Sequence, residues 1–243
     1  MTVTNDSIGD RMKRQYEDRT RYLLPRRTYT ILRLDGVGFH RYTAGLDRPF
    51  DCLLMKAMDE TALTLCAEIQ GAQCAFVQSD EISILLTDFA TINTDAWFDG
   101  NIQKIVSVSA AKATYRFCLY RACQVGGAHR GLFDCRAFTI PDRTEVENYF
   151  IWRQQDATRN SIASVAQSLY SHKELYGKNV NEQQEMIYAK GQNWNDYAGG
   201  AKRGRFVRKS ALRWQIEAPP IFTQDRAYLS AHIPVYPQAE PTP

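Results

Sequence analysis

The spacing of apolar residues in the first third of the chain predicts a helix, a strand and a second helix. A charged helix is predicted over residues 6–24. The run 28–35 (TYTILRLD) is rich in β-branched and aromatic residues and predicts a strand that ends at Asp35. After Pro49, apolar side chains recur at steps of four and three, which predicts a helix that ends at Gly71.

The middle of the chain predicts a hairpin, a helix and a further strand. The apolar runs 74–77 and 82–86 flank the polar tetrad 78–81, which suits a tight connection. Helical spacing follows over 101–121, and 133–140 predicts a strand. The order βαββαβ predicts an α+β fold, a ferredoxin-like split βαβ arrangement whose antiparallel sheet carries helices on one face.

The pattern changes in the C-terminal third. Asp142 is followed by Glu145 three residues later, a capping-box spacing that predicts the start of a long helix. Residues 201–213 contain six basic residues and no acidic one. Residues 219–243 are rich in proline, and we expect them to form an extended tail.

Composition excludes several classes of protein. The chain has 243 residues and 44% apolar content, enough for a full core and too much for a disordered chain. A net charge of +3 is too small to indicate a general nucleic-acid coat. The six cysteines form no C-x-x-C pair, so we expect reduced thiols and no zinc site. The N-terminus is polar and no 18-residue uncharged run occurs, so we expect a cytoplasmic protein without membrane association.

Two aspartates from distant parts of the chain are expected to meet at one end of the sheet. In a βαββ unit, the hairpin after the second strand lies at the same end as the end of the first strand. Asp35 and Asp80 therefore become neighbours, with Glu81 beside them. Crowded carboxylates repel each other unless a hard divalent cation neutralises them, and Mg²⁺ is the natural occupant. Such a site favours phosphoryl or nucleotidyl transfer.

The sequence after Asp35 suits a bound phosphate. Gly36 and Gly38 allow a backbone conformation that aims successive N–H groups at one point, an anion nest able to hold a triphosphate. Aspartate at a strand end and Ser-Asp-Glu in a hairpin are also common turn residues. The expected convergence of the two segments is what favours a metal site.

Four segments, in unbroken order, resemble the tRNA-His guanylyltransferase superfamily of 3′–5′ nucleotide polymerases. The resemblance spans roughly residues 20 to 210 and is nearest to the bacterial and archaeal guanylyltransferase-like branch, which repairs tRNA 5′ ends by a template-dependent reaction. The segments are LLPRRTYTILRLDGVGFHRYT, QSDEISILL, FDCRAFTIP and YFIWRQQDATRNSI.

The resemblance implies a polymerase-palm-like core that binds two Mg²⁺ ions and uses GTP or another NTP, with ATP for activation. It implies that Asp35, the Gly36 carbonyl and Asp80 hold the metals, and that Asp35, Asp80 and Glu81 are catalytic. The predicted units are a palm-like catalytic core with its N-terminal helix (1–140), a helical and basic extension of the same domain for RNA binding and oligomerisation (141–218) and the proline-rich tail (219–243). The implied nucleotide-binding residues are Asp35, Gly36, Val37, Gly38, Phe39, His40, Arg48, Ser79, Asp80, Lys104 and Arg136.

One departure bears on the substrate. Enzymes that add the extra guanosine to tRNA-His carry H-I-N-N-L-Y-N where this chain has residues 158–164 (TRNSIAS), which favours template-dependent tRNA repair over dedicated guanosine addition. The resemblance also implies tRNA as partner and a homotetramer, a dimer of dimers. The residues expected to bind RNA are Arg159, Asn160, Lys202, Arg203, Arg205, Arg208 and Lys209.

Other interpretations remain open from the sequence. The protein could be a strict tRNA-His guanylyltransferase, a palm-fold nucleotide cyclase, or a catalytically silent RNA-binding protein. For the basic run 201–213, a solvated surface strand is as good an explanation as RNA binding.

Overall fold

A computed structural model describes residues 7–211 and 213–237. Residues 1–6 and the end of the expected tail, 238–243, lie outside the described residues. The strands are β1 (Tyr29–Gly36), β2 (Ala72–Gln78), β3 (Glu81–Leu86), β4 (Phe133–Ile140), β5 (Arg205–Lys209) and β6 (Trp214–Glu217). The α-helices are α1 (Ile8–Met12), α2 (Phe39–Tyr42), α3 (Cys52–Glu68), α4 (Ile102–Val125), α5 (Arg143–Leu169), α6 (His172–Leu175), α7 (Val180–Ala189), α8 (Gly199–Arg203) and α9 (Arg226–Ser230). Further helical turns are Lys13–Glu17, Asp18–Thr20, Trp97–Gly100 and Trp194–Asp196.

The strands form one antiparallel sheet in the order β4-β1-β3-β2-β5-β6. Its first four members have the order of a split βαβ unit, which confirms the α+β antiparallel arrangement expected from the sequence. Capping side chains start the long helices where the sequence placed them. Asp51 accepts a hydrogen bond from Leu54 N at the start of α3, and Asp142 accepts one from Glu145 N at the start of α5.

Helices cover both faces of the sheet, so the expectation of helices on one face is wrong. Leu34 shares a buried cluster with Ala57 of α3 and Phe117 of α4. Ile31 lies on the opposite face and shares a second cluster with Phe150 of α5. The physical reason is that neighbouring residues of the central strands are both apolar, so each face needs a cover.

Part of the basic run belongs to the sheet. β5 pairs with β2, and β6 pairs with β5, so residues 205–217 widen the sheet on one side. Phe206 and Val207 of β5 are both completely buried, one in each of the two clusters. Two adjacent apolar residues in a short basic stretch therefore decide its structure.

The proline-rich segment packs against the protein, so the expectation of an extended tail is wrong for its described part, 219–237. Phe222 and Leu229 are completely buried on the α5 face. The Phe222 ring lies 6.0 Å from that of Phe76, and its backbone N–H donates to Gln154 Oε1 of α5 at 2.8 Å. Prolines mark this segment as irregular backbone, but its apolar residues cover the second face. None of the described helices combines the length and hydropathy needed to cross a membrane.

Candidate active site

The register of β1 brings acidic residues from three strands together at one end of the sheet. Asp35 lies opposite Glu81 of β3 and opposite Asp134 of β4. Ser79 and Asp80 form the turn that connects β2 to β3 at this same end. The expected convergence of Asp35 and Asp80 is therefore confirmed. We call this end, with Asp35, Ser79 and Asp80, the carboxylate end of the sheet.

Asp80 lies in a half-buried position with an uncompensated negative neighbour. Burial raises the pKa of the Asp80 carboxyl, and the charge of Asp35 raises it further, while a hydrogen bond from Ser79 opposes the shift. Within the described ranges, neither aspartate forms an ion pair with a basic side chain. Two close carboxylates without a protein cation suit a divalent metal ion.

The donor set matches Mg²⁺ better than a transition metal. In the part of the chain that the structure describes, three or more His, Cys, Asp or Glu side chains nowhere cluster as a metal cage. Mg²⁺ usually takes one or two carboxylates and completes its shell with water and substrate phosphates. Asp35, Asp80 and the backbone carbonyl of Gly36 therefore fit this ion, and the remaining ligands would come from outside the chain.

A sharp glycine turn after β1 is held in place by an aromatic cluster. A Cβ on Gly36 would lie 2.3 Å from the Phe39 ring, and Gly38 has a left-handed φ of 64°. The Phe39 ring is buried, with Phe117 and Phe133 at centroid distances of 5.4 and 5.2 Å. Phe39 therefore anchors the turn through its side chain, and only its backbone is available to a nucleotide.

The turn and the hairpin line an open cleft of about 410 Å³. Ser79 adopts a left-handed φ of 46° at the tip of the hairpin, which is unusual for a residue other than glycine. A neighbouring cleft of about 210 Å³ shares residues with the first and includes Arg48. The predicted nucleotide-binding residues that line the first cleft are Gly36, Gly38, Phe39, His40, Ser79 and Asp80.

Glu81, which the sequence analysis groups with Asp35 and Asp80 as a catalytic residue, has a basic partner on α5. Its carboxylate accepts hydrogen bonds from Arg153 Nε and Nη2 of α5 at 2.8 and 2.7 Å. Burial raises the pKa of the Glu81 carboxyl, and the charge and hydrogen bonds of Arg153 oppose this. Glu81 therefore lies in a buried ion pair, and we no longer group it with the two candidate metal ligands.

Two further residues predicted to bind the nucleotide, Arg136 and Lys104, lie outside the cleft of about 410 Å³. Arg136 is exposed on β4, directly opposite Arg33, and lies two residues along the strand from the level of Asp35. Lys104 lies at the far end of the sheet, because α4 begins there and runs back toward the carboxylate end. The neighbouring Ile105 lines a small cavity with Thr30 of β1 and Leu86 of β3, both far from Asp35. Within one chain, Lys104 is not brought to the cleft.

Two of the basic residues expected to bind RNA are buried. The Lys202 ammonium group donates to the Asn195 carbonyl and is 7% exposed as a residue. The Arg205 guanidinium donates to the Asp59 carboxylate, and this residue is 8% exposed. Lys202 and Arg205 therefore stabilise the fold and are not available to RNA, contrary to the prediction. The reason is that β5, which begins at Arg205 directly after α8, lies inside the sheet between β2 and β6.

The other predicted RNA contacts on β5 and α8 remain at the surface. Arg208 is half-buried and pairs with Glu217 of β6 at 3.0 Å, so its charge is compensated within the protein. The Arg203 guanidinium lies over the Trp194 ring at 5.1 Å. Lys209 is exposed at the end of β5.

The predicted RNA-binding residues of α5 are exposed beyond the end of the sheet. The Arg159 guanidinium donates to Asp156 at 2.7 Å. Asn160 lines a cavity of about 120 Å³ that also touches Ser79 and Pro49. This part of α5 therefore approaches the hairpin that carries Asp80.

Comparison with known proteins shows the family to which the chain belongs. The sequence model of the family described as tRNAHis guanylyltransferase matches residues 9–141, more than half of the chain. The chain belongs to this family. Members of the family are nucleotidyltransferases, and so is this protein. Among curated proteins, the tRNA(His) guanylyltransferase of Debaryomyces hansenii is 26% identical over 212 residues, which are 80% of this chain and 77% of that protein.

Two solved structures are similar over nearly all of the guanylyltransferase-family chain. A bacterial tRNA(HIS) guanylyltransferase (Thg1)-like protein in complex with ATP is 44% identical, with a TM-score of 0.89. A bacterial Thg1-like protein in complex with GTP is 40% identical, with a TM-score of 0.81. Each alignment covers 94% of this chain and 100% of the other.

Three residues of this candidate site were not singled out from the sequence. Asp134 and Arg33 lie next to Asp35 across and along the strands, and Arg153 reaches Glu81 from α5. Asp134 could have been found from the alternation of β4, which places it on the same face as Arg136. Arg153 offered no such signal, because its contact depends on how α5 packs against the sheet.

Proposed function

We propose that this protein adds nucleotides in the 3′–5′ direction to the 5′ end of tRNA, in template-dependent repair of shortened ends. The observation that carries the proposal is that Asp35 and Asp80 lie together at one end of the sheet, beside a glycine-lined cleft. Membership of the tRNAHis guanylyltransferase family supports the reaction class. The ATP and GTP complexes of similar bacterial proteins support nucleoside triphosphates as substrates.

In this proposal each part of the site has a separate task. Asp35, Asp80 and the Gly36 carbonyl would hold two Mg²⁺ ions, which would supply Lewis-acid stabilisation of charge on phosphate oxygens and make the attacking hydroxyl more acidic. The backbone N–H groups of residues 38–40 orient the triphosphate, because Gly36 and Gly38 add no side chain to the turn, whereas the Val37 N–H already donates to the Leu132 carbonyl. The aromatic anchor under the turn keeps these donors in place before the nucleotide arrives.

The reaction requires no side-chain nucleophile. The tRNA 5′ end is activated either by adenylylation from ATP or by an existing triphosphate. The 3′-hydroxyl of the incoming nucleotide then attacks the 5′ α-phosphorus, so a phosphodiester P–O bond forms and the bond to AMP or pyrophosphate breaks. The hydroxyl proton leaves to solvent, and the leaving group departs with the electron pair of the broken bond.

The surface of α5 supports a broad rather than a dedicated tRNA substrate. In the segment that departs from the guanosine-adding enzymes, Thr158 and Ser164 donate to carbonyls one turn back on α5 at 2.9 Å. Ser161 donates to the Lys202 carbonyl at 2.8 Å. Only Arg159 and Asn160 are fully exposed there. Guanosine addition to tRNA-His is the second candidate, favoured by the names of the curated relatives.

One assay separates these candidates. Purified protein is incubated with labelled NTPs, with tRNA-His lacking its extra base and with other 5′-shortened tRNAs, each with and without Mg²⁺. Mg²⁺-dependent extension of several tRNAs with the templated nucleotide is expected. Extension of tRNA-His alone would favour guanosine addition, and a labelled cyclic product without RNA would indicate a cyclase. Nucleotide binding without any product would indicate a silent RNA-binding protein.

The RNA-binding surface and the assembly are parts of the same proposal. Arg159, Asn160, Arg203 and Lys209 are the exposed or partly exposed residues that we assign to tRNA. Lys104 lies too far from the cleft of its own chain, which supports a tetramer in which one tRNA spans several subunits. Sedimentation of the purified protein is expected to give the mass of four chains, and a monomer would contradict this.

A further inference from the structure

The Glu81–Arg153 ion pair is among the most enclosed polar contacts next to the candidate active site. The side chains of Arg153 and Glu81 are 5% and 11% exposed. Their contact is bidentate, with the two nitrogen–oxygen distances at 2.8 and 2.7 Å. Ser83 Oγ donates to the same Glu81 oxygen at 3.3 Å, and Tyr149 of α5 bonds Ser83 at 2.8 Å. The carboxylate is thus held on several sides.

Arg153 changes the electrostatic character of the carboxylate end. Asp35 and Glu81 lie directly opposite each other on paired strands, an arrangement that destabilises a sheet when both residues are negative and unpaired. Arg153 neutralises Glu81 but leaves Asp35 and Asp80 without a protein cation. Without Arg153, Glu81 would be a further unpaired carboxylate beside Asp35, Asp80 and Asp134.

The same contact fixes the hairpin to a long helix. Glu81 is the first residue of β3 and follows Asp80 directly, after the left-handed turn at Ser79. Arg153 is held in turn by Asp156 at 2.9 Å and lies over the Trp152 ring at 4.3 Å. Motion of the hairpin relative to α5 would therefore break a buried pair, which is costly because it leaves charges unpaired.

We propose that Arg153 is a positioning residue for catalysis: by binding Glu81 it withdraws that carboxylate from the metal site and sets the position of Asp80. Asp156 extends this network outward, because it bonds both Arg153 and the exposed Arg159. The glutamate of the Ser-Asp-Glu sequence then acts through α5 and not as a metal ligand. This inference rests on the proposed nucleotidyl transfer.

The test is a double-mutant cycle with Arg153→Met, Glu81→Gln and both changes together. We expect Arg153→Met to lower kcat about tenfold or more, with the KM for NTP changed less than about threefold, because the glycine turn is intact. Glu81→Gln alone is expected to have a smaller effect, and the double variant to be no worse than Arg153→Met. Arg153→Lys keeps one charged contact and should recover part of the lost kcat.

A control variant and a hydrogen-exchange measurement separate the positioning role of Arg153 from effects on folding and on turnover. The control is Arg26→Met, which breaks the ion pair with buried Asp88 at 2.8 Å at the far end of the sheet and should leave kcat within about twofold. Amide hydrogen exchange of residues 78–82 in metal-free protein should become faster in Arg153→Met and in the double variant, but not in Arg26→Met. The double variant leaves no unpaired charge and keeps the test valid if Arg153→Met folds poorly.

The outcomes separate the two proposals. Unchanged kcat and unchanged exchange in Arg153→Met would overturn the positioning role. A loss in Glu81→Gln as large as in Asp80→Asn, multiplying with that of Arg153→Met, would overturn it too, because Glu81 would then be a ligand. Absence of nucleotide addition by the unaltered protein would contradict the proposed function, whereas the exchange result would still report whether Arg153 holds the hairpin.

Discussion

The two faces of the sheet differ sharply at its carboxylate end. On the face covered by α3 and α4, residues near this end such as Leu34 and Phe133 are buried and apolar. On the face covered by α5, their neighbours along the same strands are Asp35, Glu81 and Asp134. The face covered by α3 and α4 is therefore apolar up to this end of the sheet. The face covered by α5 changes from buried residues to acidic residues within two positions along a strand. The apolar face holds the acidic residues at fixed positions while they remain accessible.

The strongest test of the acidic α5 face is removal of its two candidate metal ligands, Asp35 and Asp80. Asp35→Ala and Asp80→Ala should each lower the rate of nucleotide addition at least about a hundredfold, because the loss of metal stabilisation amounts to several kcal/mol. The measurement is single-turnover extension of a 5′-shortened tRNA. Glu185→Ala, which removes an exposed acid of α7, is the control and should keep full activity. Wild-type rates in both aspartate variants would contradict the assignment.

The packing of both faces can be compared with two matched phenylalanines. Phe117 lies on the α3 and α4 face and Phe222 on the α5 face, and both are completely buried. Changing either to alanine should lower the free energy of unfolding by about 3–5 kcal/mol, measured by urea denaturation. If the C-terminal segment were a free tail, Phe222→Ala would hardly change the free energy of unfolding. That result would contradict the finding that this segment covers the second face.

Two basic residues on the same face of β5 distinguish RNA contact from structure. Lys209→Ala should weaken tRNA binding about twofold to threefold and reduce the slope of its salt dependence by about one. Arg205→Met should lower the free energy of unfolding and leave that slope unchanged, because the Arg205 guanidinium pairs with the largely buried Asp59 carboxylate. Filter binding at several salt concentrations checks both. A reversed pattern would mean that β5 presents its other end to RNA.

The smallest expected effect concerns pH and the C-terminal cover of the α5 face. Burial lowers the pKa of His232, and the charge of Arg208 adds to this, while Glu217 opposes it. The His232 ring also packs against Phe206 in a tilted arrangement and against Tyr228 edge to face. A folded-state pKa below the unfolded value of about 6.5 gives stability at neutral pH that is lost as the pH falls below that value.

His232→Phe keeps the ring contacts and removes this titration. The wild-type protein should therefore lose about 1 °C more in Tm between pH 7.5 and pH 5.5 than the variant does. Thermal unfolding monitored at both pH values measures the difference. A wild-type Tm that rises relative to the variant on acidification would contradict the direction of the shift.

The sequence predicted the parts of the fold that depend on local pattern. The runs 28–35, 74–77, 82–86 and 133–140 became β1 to β4 with nearly the expected boundaries. Because the chain direction of a βαββ unit follows from connectivity alone, the meeting of Asp35 with Asp80 could also be foreseen. These inferences needed no knowledge of how side chains pack.

What the sequence did not reveal depends on tertiary packing. The covered second face follows from Phe206 and Phe222, whose apolar character was masked by basic and proline-rich surroundings. The pairing of Glu81 with Arg153 joins residues 72 positions apart, and nothing local distinguishes this glutamate from a metal ligand. The distance of Lys104 from the cleft likewise follows from the direction of α4, which the resemblance did not address.

The most direct test that Asp35 and Asp80 bind the metal ions is a crystal structure of the protein with GTP and Mn²⁺. Mn²⁺ takes oxygen ligands as Mg²⁺ does and gives an anomalous signal. We expect anomalous peaks from metal ions that both Asp35 and Asp80 coordinate. The triphosphate should lie along the turn of residues 36–40, and Glu81 should still pair with Arg153. A triphosphate bound elsewhere, or peaks on Glu81 with Asp80 unligated, would contradict it.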